Sequence, residues 1–216
     1  MNRKLGILFD LDGTVLDTEE LIFESFKYVF RKYKPGYTLS KEELLSFLGP
    51  SLKDSFERFF DSKIVDELIE YYREFNHAKH EEYVTIYPTV VETLETLKKE
   101  GYPLAIVTTK ANHVAHIGLD LFDLTKYFDS VVGLDDVKTT KPNPEGIYKA
   151  MKELRVDKAV MIGDNITDIQ AGKNAGVYTI GVKWAAKGYQ EMAKLEPDLL
   201  IDEMSEILDF IKEIGE

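Results

Sequence analysis

Five short apolar segments recur along the chain, each followed by a polar loop and an amphipathic stretch. Within them, apolar residues run continuously, which is typical of strands covered by helices on both faces. Strands that alternate with helices predict a parallel sheet whose loops gather at the carboxyl ends of the strands. We predict strands at 5–9, 104–107, 131–132, 159–162 and 179–182.

Helical periodicity fills the intervals between these strands. The clearest case places apolar residues at Val90, Val91, Leu94 and Leu97 and stops before Gly101. This spacing lines one face of a helix. The helices predicted in this part of the chain are 90–99, 144–154, 166–175 and 203–214.

One long segment breaks the alternation, because residues 17–82 show helical periodicity and no convincing strand. The helices predicted there are 19–33, 41–47, 51–60 and 64–80. We therefore predict an α/β core formed by residues 1–16 and 83–216, with a helical cap inserted at 17–82 directly after the first strand.

Composition narrows the possible functions. The chain has 216 residues, 44% of them hydrophobic, no cysteine and a formal net charge of −12. The lack of cysteine excludes a disulfide framework, thiolate metal ligands and a cysteine nucleophile. The acidic balance argues against nucleic acid as a partner, because binding to phosphate backbones needs clustered Lys and Arg. An anionic substrate would have to be attracted locally, by a metal ion and a few lysines.

The apolar run near the amino terminus is interrupted at Asp10 and Asp12, short of the ~7–15 apolar residues of a signal-peptide core. No later segment approaches the ~18–20 apolar residues of a membrane span. We therefore expect a cytoplasmic protein with no membrane partner.

The first candidate for chemistry is the sequence Asp10-Leu-Asp12-Gly13-Thr14, directly after the first strand. Two carboxylates separated by one residue at a strand end can converge on one cation, and Mg²⁺ prefers hard oxygen ligands. One carboxylate can act as a nucleophile while the other handles a proton. Gly13 would permit a turn that other residues resist. An acidic turn that only closes the strand is the alternative.

Two further acids, Asp164 and Asp168, follow the fourth strand on a loop that opens a helix. Acids at a helix start are also favoured by the helix dipole alone. Together with the first pair, however, they place four carboxylates at one edge of a parallel sheet. Such a cluster repels itself without a cation, so the sequence predicts a bound divalent metal.

Two more strand ends carry polar groups that suit a phosphate. Thr108, Thr109 and Lys110 follow the second strand, and a hydroxyl with free N–H groups there can hold phosphate oxygens. Lys141 lies between a loop and a helix that begins with a proline, and its charge could offset the carboxylates. A polar strand exit and a surface lysine are the alternatives.

These four elements, in this order, resemble the four motifs of the haloacid dehalogenase superfamily of aspartate-nucleophile phosphohydrolases. The resemblance covers essentially the whole chain. It implies that Asp10 is the nucleophile and Asp12 the general acid/base. It also implies that Thr108 binds the phosphoryl group and that Lys141 neutralises the nucleophile and the transferring phosphate.

The same resemblance implies a Rossmann-like core, a central mainly parallel sheet flanked by helices, and a cap that closes over substrate. It implies Mg²⁺ as cofactor, bound by Asp10, by the backbone carbonyl of Asp12 and by Asp164, with Asp168 supporting or completing the site.

Segments outside the four motifs resemble one family more closely, the inorganic pyrophosphatases associated with the HPr phosphorylation system. They include Leu48-Gly-Pro-Ser-Leu52, Trp184-Ala-Ala-Lys-Gly188 and the sequence around His77 and His80. This resemblance implies pyrophosphate as substrate, with phosphoglycolate or another small phosphate ester as the alternative. The predicted substrate contacts are Gly13, Thr14, Thr109, Lys110, Gly49, Ser51 and Lys187.

Several alternatives stay open. Asp12, Asp164 and Asp168 argue against a metal-independent dehalogenase, and the cap-sized insert together with Asp12 argues against a phospho-accepting signalling module. A phosphomutase would share every catalytic residue and differ in the cap. His77 and His80 lie three residues apart on one helix face and could bind a metal, contact substrate or simply pack. Trp184 is interpreted as a packing residue.

Overall fold

The computed structural model describes residues 5–215 and contains a six-stranded parallel sheet with the order β5-β4-β1-β6-β7-β8. A second sheet pairs β2 with β3. All five predicted strands are confirmed, whereas β2, β3 and β8 were not predicted. The strands are β1 (Leu5–Phe9), β2 (Leu16–Asp17), β3 (Thr85–Ile86), β4 (Leu104–Val107), β5 (Ser130–Val132), β6 (Lys158–Gly163), β7 (Tyr178–Val182) and β8 (Leu199–Ile201).

The described chain divides into two compact units, one formed by residues 5–16 and 86–215 and the other by Asp17–Thr85. The second unit is helical apart from its terminal strand residues and has an aromatic core, in which the rings of Phe26 and Phe47 stack 3.9 Å apart. Its helices are α1 (Glu19–Tyr33), α2 (Lys41–Ser46), α3 (Leu52–Glu57), α4 (Val65–Ala78) and α5 (His80–Tyr83).

Three predicted helices of this unit are shorter in the structure, and the first of them, 41–47, ends at Ser46. The predicted helix 51–60 begins after Ser51, which caps α3, and ends at Glu57. The predicted helix 64–80 is interrupted at Lys79, which separates α4 from α5. Helix ends depend on local capping, which hydrophobic periodicity does not report.

The first unit carries the remaining helices, and among residues 5–215 no helix combines the length and hydrophobicity of a membrane span. Predicted helix 203–214 begins as a 3₁₀ turn at Met204–Glu206, and the helices at 112–121 and 190–193 were not predicted. The helices are α6 (Val90–Lys99), α7 (Asn112–Leu121), α8 (Glu145–Leu154), α9 (Ile166–Ala175), α10 (Gln190–Ala193) and α11 (Ile207–Gly215).

Strand β1 lies at the centre of the large sheet, between β4 and β6, and all five of its residues are buried. Its Ile7 is in register with Leu104 on one side and with Val160 on the other. Because the strands are parallel, the residues that follow β1, β4 and β6 emerge side by side at one edge of the sheet.

Candidate active site

The loop after β1 forms a tight turn that requires glycine at position 13. Val15 and Leu16 both donate backbone hydrogen bonds to Leu11 O, and Gly13 N donates to Leu16 O at 2.8 Å. Gly13 has φ +81°, and a Cβ at this position would lie 2.5 Å from Asp164 Oδ2. The turn therefore needs a residue without a side chain, both for its conformation and for its close approach to Asp164.

Three carboxylates converge beside this loop. One oxygen from each of Asp10, Asp164 and Asp168 lies within 4.8 Å of the others, and Thr14 Oγ1 donates to Asp164 Oδ1 at 3.3 Å. Burial, with added repulsion from Asp168, raises the pKa of Asp10 to about 7, although Lys141 opposes the shift. Burial and repulsion from Asp10 hold the pKa of Asp164 well above its ordinary value.

This donor set suits a divalent metal, because carboxylate oxygens are the ligands that Mg²⁺ prefers and a cation would relieve their repulsion. Within residues 5–215 this is the only group of three or more acidic or histidine side chains arranged to hold a metal. His77 and His80 do not belong to it. The carboxylate of Asp12 does not belong to it either. The metal ligand predicted from Asp12 is therefore its backbone carbonyl oxygen.

Lys141 lies against two members of the cluster. Its Nζ is 2.8 Å from Asp10 Oδ1, 2.6 Å from Asp168 Oδ1 and 2.9 Å from Val107 O, and its side chain is 6% exposed. Burial alone would lower the pKa of Lys141, but the two carboxylates raise it above its ordinary value. Lys141 is therefore a buried, charged ammonium aimed at Asp10.

Asp168 has protein partners on both carboxylate oxygens. Its Oδ1 contacts Lys141, and its Oδ2 accepts a hydrogen bond from Asn165 N at 2.9 Å, which caps the start of α9. Asn174, near the end of the same helix, donates to Pro142 O at 3.0 Å. Residues near both ends of helix α9 thus contact the loop that carries Lys141 and Pro142.

The threonines after β4 occupy the neighbouring strand end. Thr108 is buried; its backbone N donates to Val132 O at 3.0 Å, and its Oγ1 accepts from Lys110 N at 3.1 Å. Thr109 is the next residue of this loop. Lys110, predicted to contact substrate, has its Nζ 2.6 Å from Asp12 Oδ1. This ion pair was not predicted.

Trp184 contacts the turn after β1, although its sequence position was interpreted as packing. Its Nε1 donates to Gly13 O at 3.1 Å, and its ring centroid lies 5.4 Å from that of Tyr87. The hydrogen bond fixes the position of the Gly13 carbonyl, directly between Asp12 and Thr14 in the chain. The only sequence signal for this role is the position of Trp184 just after β7.

The remaining predicted substrate contacts are Lys187, Gly49 and Ser51. Lys187 is in the segment between β7 and α10. Gly49 has φ +97° in the turn after α2, and Ser51 caps α3 by accepting a hydrogen bond from Asp54 N at 3.1 Å. Their contacts with substrate stay predictions.

A family model for haloacid dehalogenase-like hydrolases matches residues 7–182. The chain is 48% identical to Pyrophosphatase PpaX of Bacillus velezensis and 47% identical to Pyrophosphatase PpaX of Anoxybacillus flavithermus, in each case over 95% of both chains. A crystal structure described as a predicted phosphatase from Clostridium acetobutylicum superposes with a TM-score of 0.85 at 31% identity, covering 98% of this chain and 99% of that one. The chain therefore belongs to the haloacid dehalogenase-like hydrolase family and is an enzyme.

Proposed function

We propose that this enzyme is a Mg²⁺-dependent phosphohydrolase that cleaves inorganic pyrophosphate through an aspartyl-phosphate on Asp10. The observation that carries the proposal is the pairing of Asp10 with the buried ammonium of Lys141, beside Asp164. Relatives named as pyrophosphatases, 47–48% identical over nearly the whole chain, favour pyrophosphate over other phosphates.

In the first half-reaction, a carboxylate oxygen of Asp10 attacks phosphorus and forms an O–P bond while the bond to the leaving phosphate breaks. Asp12 gives its proton to the departing oxygen. Lys141, which already contacts Asp10 Oδ1, balances negative charge on the nucleophile and on the transferring group. Stabilisation of this kind, with positioning, supplies most of the acceleration in phosphoryl transfer.

In the second half-reaction, Asp12 takes a proton from water, the water oxygen attacks phosphorus, and phosphate leaves with the carboxylate of Asp10 restored. Thr108 would hold the phosphoryl oxygens at the strand end. Bound Mg²⁺, held by carboxylates of Asp10 and Asp164, would supply positive charge for the phosphoryl oxygens. The buried acidic cluster fits such an ion.

The test is phosphate release in Mg²⁺ buffer with pyrophosphate, phosphoglycolate and a panel of small esters. Asp10→Asn should abolish activity, and its acid-quenched protein should lack the added phosphoryl mass that wild type shows during turnover. Asp123→Asn, an exposed acid that pairs with Lys126, is the matched control and should behave as wild type. If another substrate has the highest kcat/KM while Asp10→Asn is inactive, the chemistry holds and the substrate assignment is wrong. Activity in Asp10→Asn would contradict the mechanism.

A further inference from the structure

The ion pair between Lys110 and Asp12 joins two strand-end loops of the same unit. Lys110 Nζ lies 2.6 Å from Asp12 Oδ1, and the two side chains are only 15% and 22% exposed. The backbone N–H of Lys110 donates to Thr108 Oγ1 at 3.1 Å, which anchors the base of the side chain. This ammonium is therefore positioned on one oxygen of the proposed general acid/base.

The position of the Lys110 ammonium conflicts with the role of general acid/base proposed for Asp12. A residue that hands a proton to a leaving oxygen must direct a carboxyl oxygen at that oxygen, within ~2.6–3.2 Å. In the structure, Asp12 Oδ1 instead accepts a short, charge-assisted hydrogen bond, which is among the stronger side-chain interactions. Catalysis requires this interaction to loosen or shift.

A substrate with a second anionic group provides the means. The leaving half of pyrophosphate is itself a phosphate, whose oxygens compete with a carboxylate for a lysine ammonium. Transfer of the ammonium from Asp12 to that second phosphate would free Oδ1 and also neutralise the leaving group. A simple alkyl phosphate offers no such group, so Lys110 would stay on Asp12.

We propose that Lys110 is a positioning residue that restrains Asp12 until a second anionic group of the substrate draws its ammonium away. This inference rests on the proposed function and deepens it, because it makes the enzyme selective for phosphates whose leaving group is an anion. The selection acts through the release of Asp12 as well as through binding. No bond to Lys110 is made or broken; the proton still passes from Asp12 to the leaving oxygen.

The test compares kcat/KM of wild type, Lys110→Ala and Lys110→Gln for pyrophosphate and for ethyl phosphate, whose leaving group has no charge. We expect the two variants to lose about 100-fold on pyrophosphate and to gain about tenfold on ethyl phosphate, equivalent to ~1.4 kcal/mol. 4-Nitrophenyl phosphate, whose leaving group departs without a proton, should gain less than ethyl phosphate. Lys110→Arg, which keeps the charge, should recover most pyrophosphate activity.

Lys98→Ala is the matched control, because Lys98 also forms an ion pair at 2.8 Å, with Asp129, but away from the acidic cluster. It should leave both substrates unaffected. Equal losses on both substrates in the Lys110 variants would assign Lys110 a structural role, and loss on pyrophosphate with no gain on ethyl phosphate would reduce it to a phosphate ligand. Either result overturns the restraint. If wild type does not cleave pyrophosphate, the proposed function fails, and the ethyl phosphate comparison alone decides the restraint.

Discussion

The buried carboxyl of Asp10 leads to a prediction about stability as well as activity. In the metal-free protein, the pKa of Asp10 rises from 3.8 to about 7, first because of burial and then because of its acidic neighbours. An acid whose pKa is raised on folding holds its proton in the folded state at pH values where the unfolded chain has lost it. Its contribution to stability is complete below pH 3.8 and is lost as pH rises to about 7.

Asp10→Asn replaces this acid with a neutral group of the same shape, so its stability lacks that pH dependence. Between pH 5 and pH 8 the free energy of unfolding of wild type should fall relative to the variant by roughly 2.5 kcal/mol, at 1.36 kcal/mol per pKa unit. Adding Mg²⁺ at a hundred times its Kd should then stabilise wild type by ~2.7 kcal/mol and the variant much less.

The assay is urea denaturation at pH 5, 6, 7 and 8 in EDTA, followed by circular dichroism. Asp136→Asn is the matched control: burial alone would raise the pKa of Asp136, but hydrogen bonds from Lys149, Gly133 and Asn112 lower it to about 2. The stabilising contribution of the Asp136 carboxylate is complete above the unfolded pKa of 3.8 and is lost only as pH falls towards 2. The difference in free energy of unfolding between Asp136→Asn and wild type should therefore stay constant from pH 5 to pH 8. If the difference in free energy of unfolding between Asp10→Asn and wild type is also constant over this range, the pKa of Asp10 is not raised by folding and the prediction is wrong.

Three further substitutions test the turn after β1 and the helical unit. Gly13→Ala places a Cβ 2.5 Å from Asp164 Oδ2, so kcat/KM should fall ~100-fold or more, ~2.7 kcal/mol, and Mg²⁺ should bind more weakly by calorimetry; wild-type behaviour would contradict this reading. Trp184→Phe removes a hydrogen bond worth ~1 kcal/mol, so kcat should fall about fivefold; an unchanged kcat would show that Gly13 O needs no such support. Ser40→Ala removes the cap that accepts from Glu43 N, which should cost ~1 kcal/mol in urea denaturation and leave activity unchanged.

The central strands were predictable because they are continuously apolar and flanked by turns. The elements that escaped prediction have weaker signals. Strand β8 has only three residues, of which Ile201 alone is buried. Helix α7 contains Gly118 and two histidines, His113 and His116, and glycine and histidine are poor helix formers. Tertiary packing rather than local propensity determines such elements.

The acidic cluster was predictable for a topological reason, since Asp10 and Asp164 follow adjacent parallel strands. The contacts of Lys110 and Trp184 were not. Asp12 and Lys110 are 98 residues apart, and Gly13 and Trp184 are 171 apart. Topology brings their loops to one edge of the sheet, but the rotamer that joins two side chains depends on the path of each loop. Sequence spacing does not contain that path.

Local charge explains how a strongly acidic chain can be suited to an anionic substrate. The four carboxylates at the sheet edge face two ammonium groups, those of Lys110 and Lys141, each already paired with a carboxylate. Fully ionised, the site would carry two excess negative charges, which one divalent cation balances. Without a cation, burial and mutual repulsion raise the pKa values of Asp10 and Asp164, so bound protons offset part of this excess charge. The net charge of −12 therefore says little about substrate binding, because the phosphate would meet the cation and the two lysines at short range, where the rest of the surface is screened.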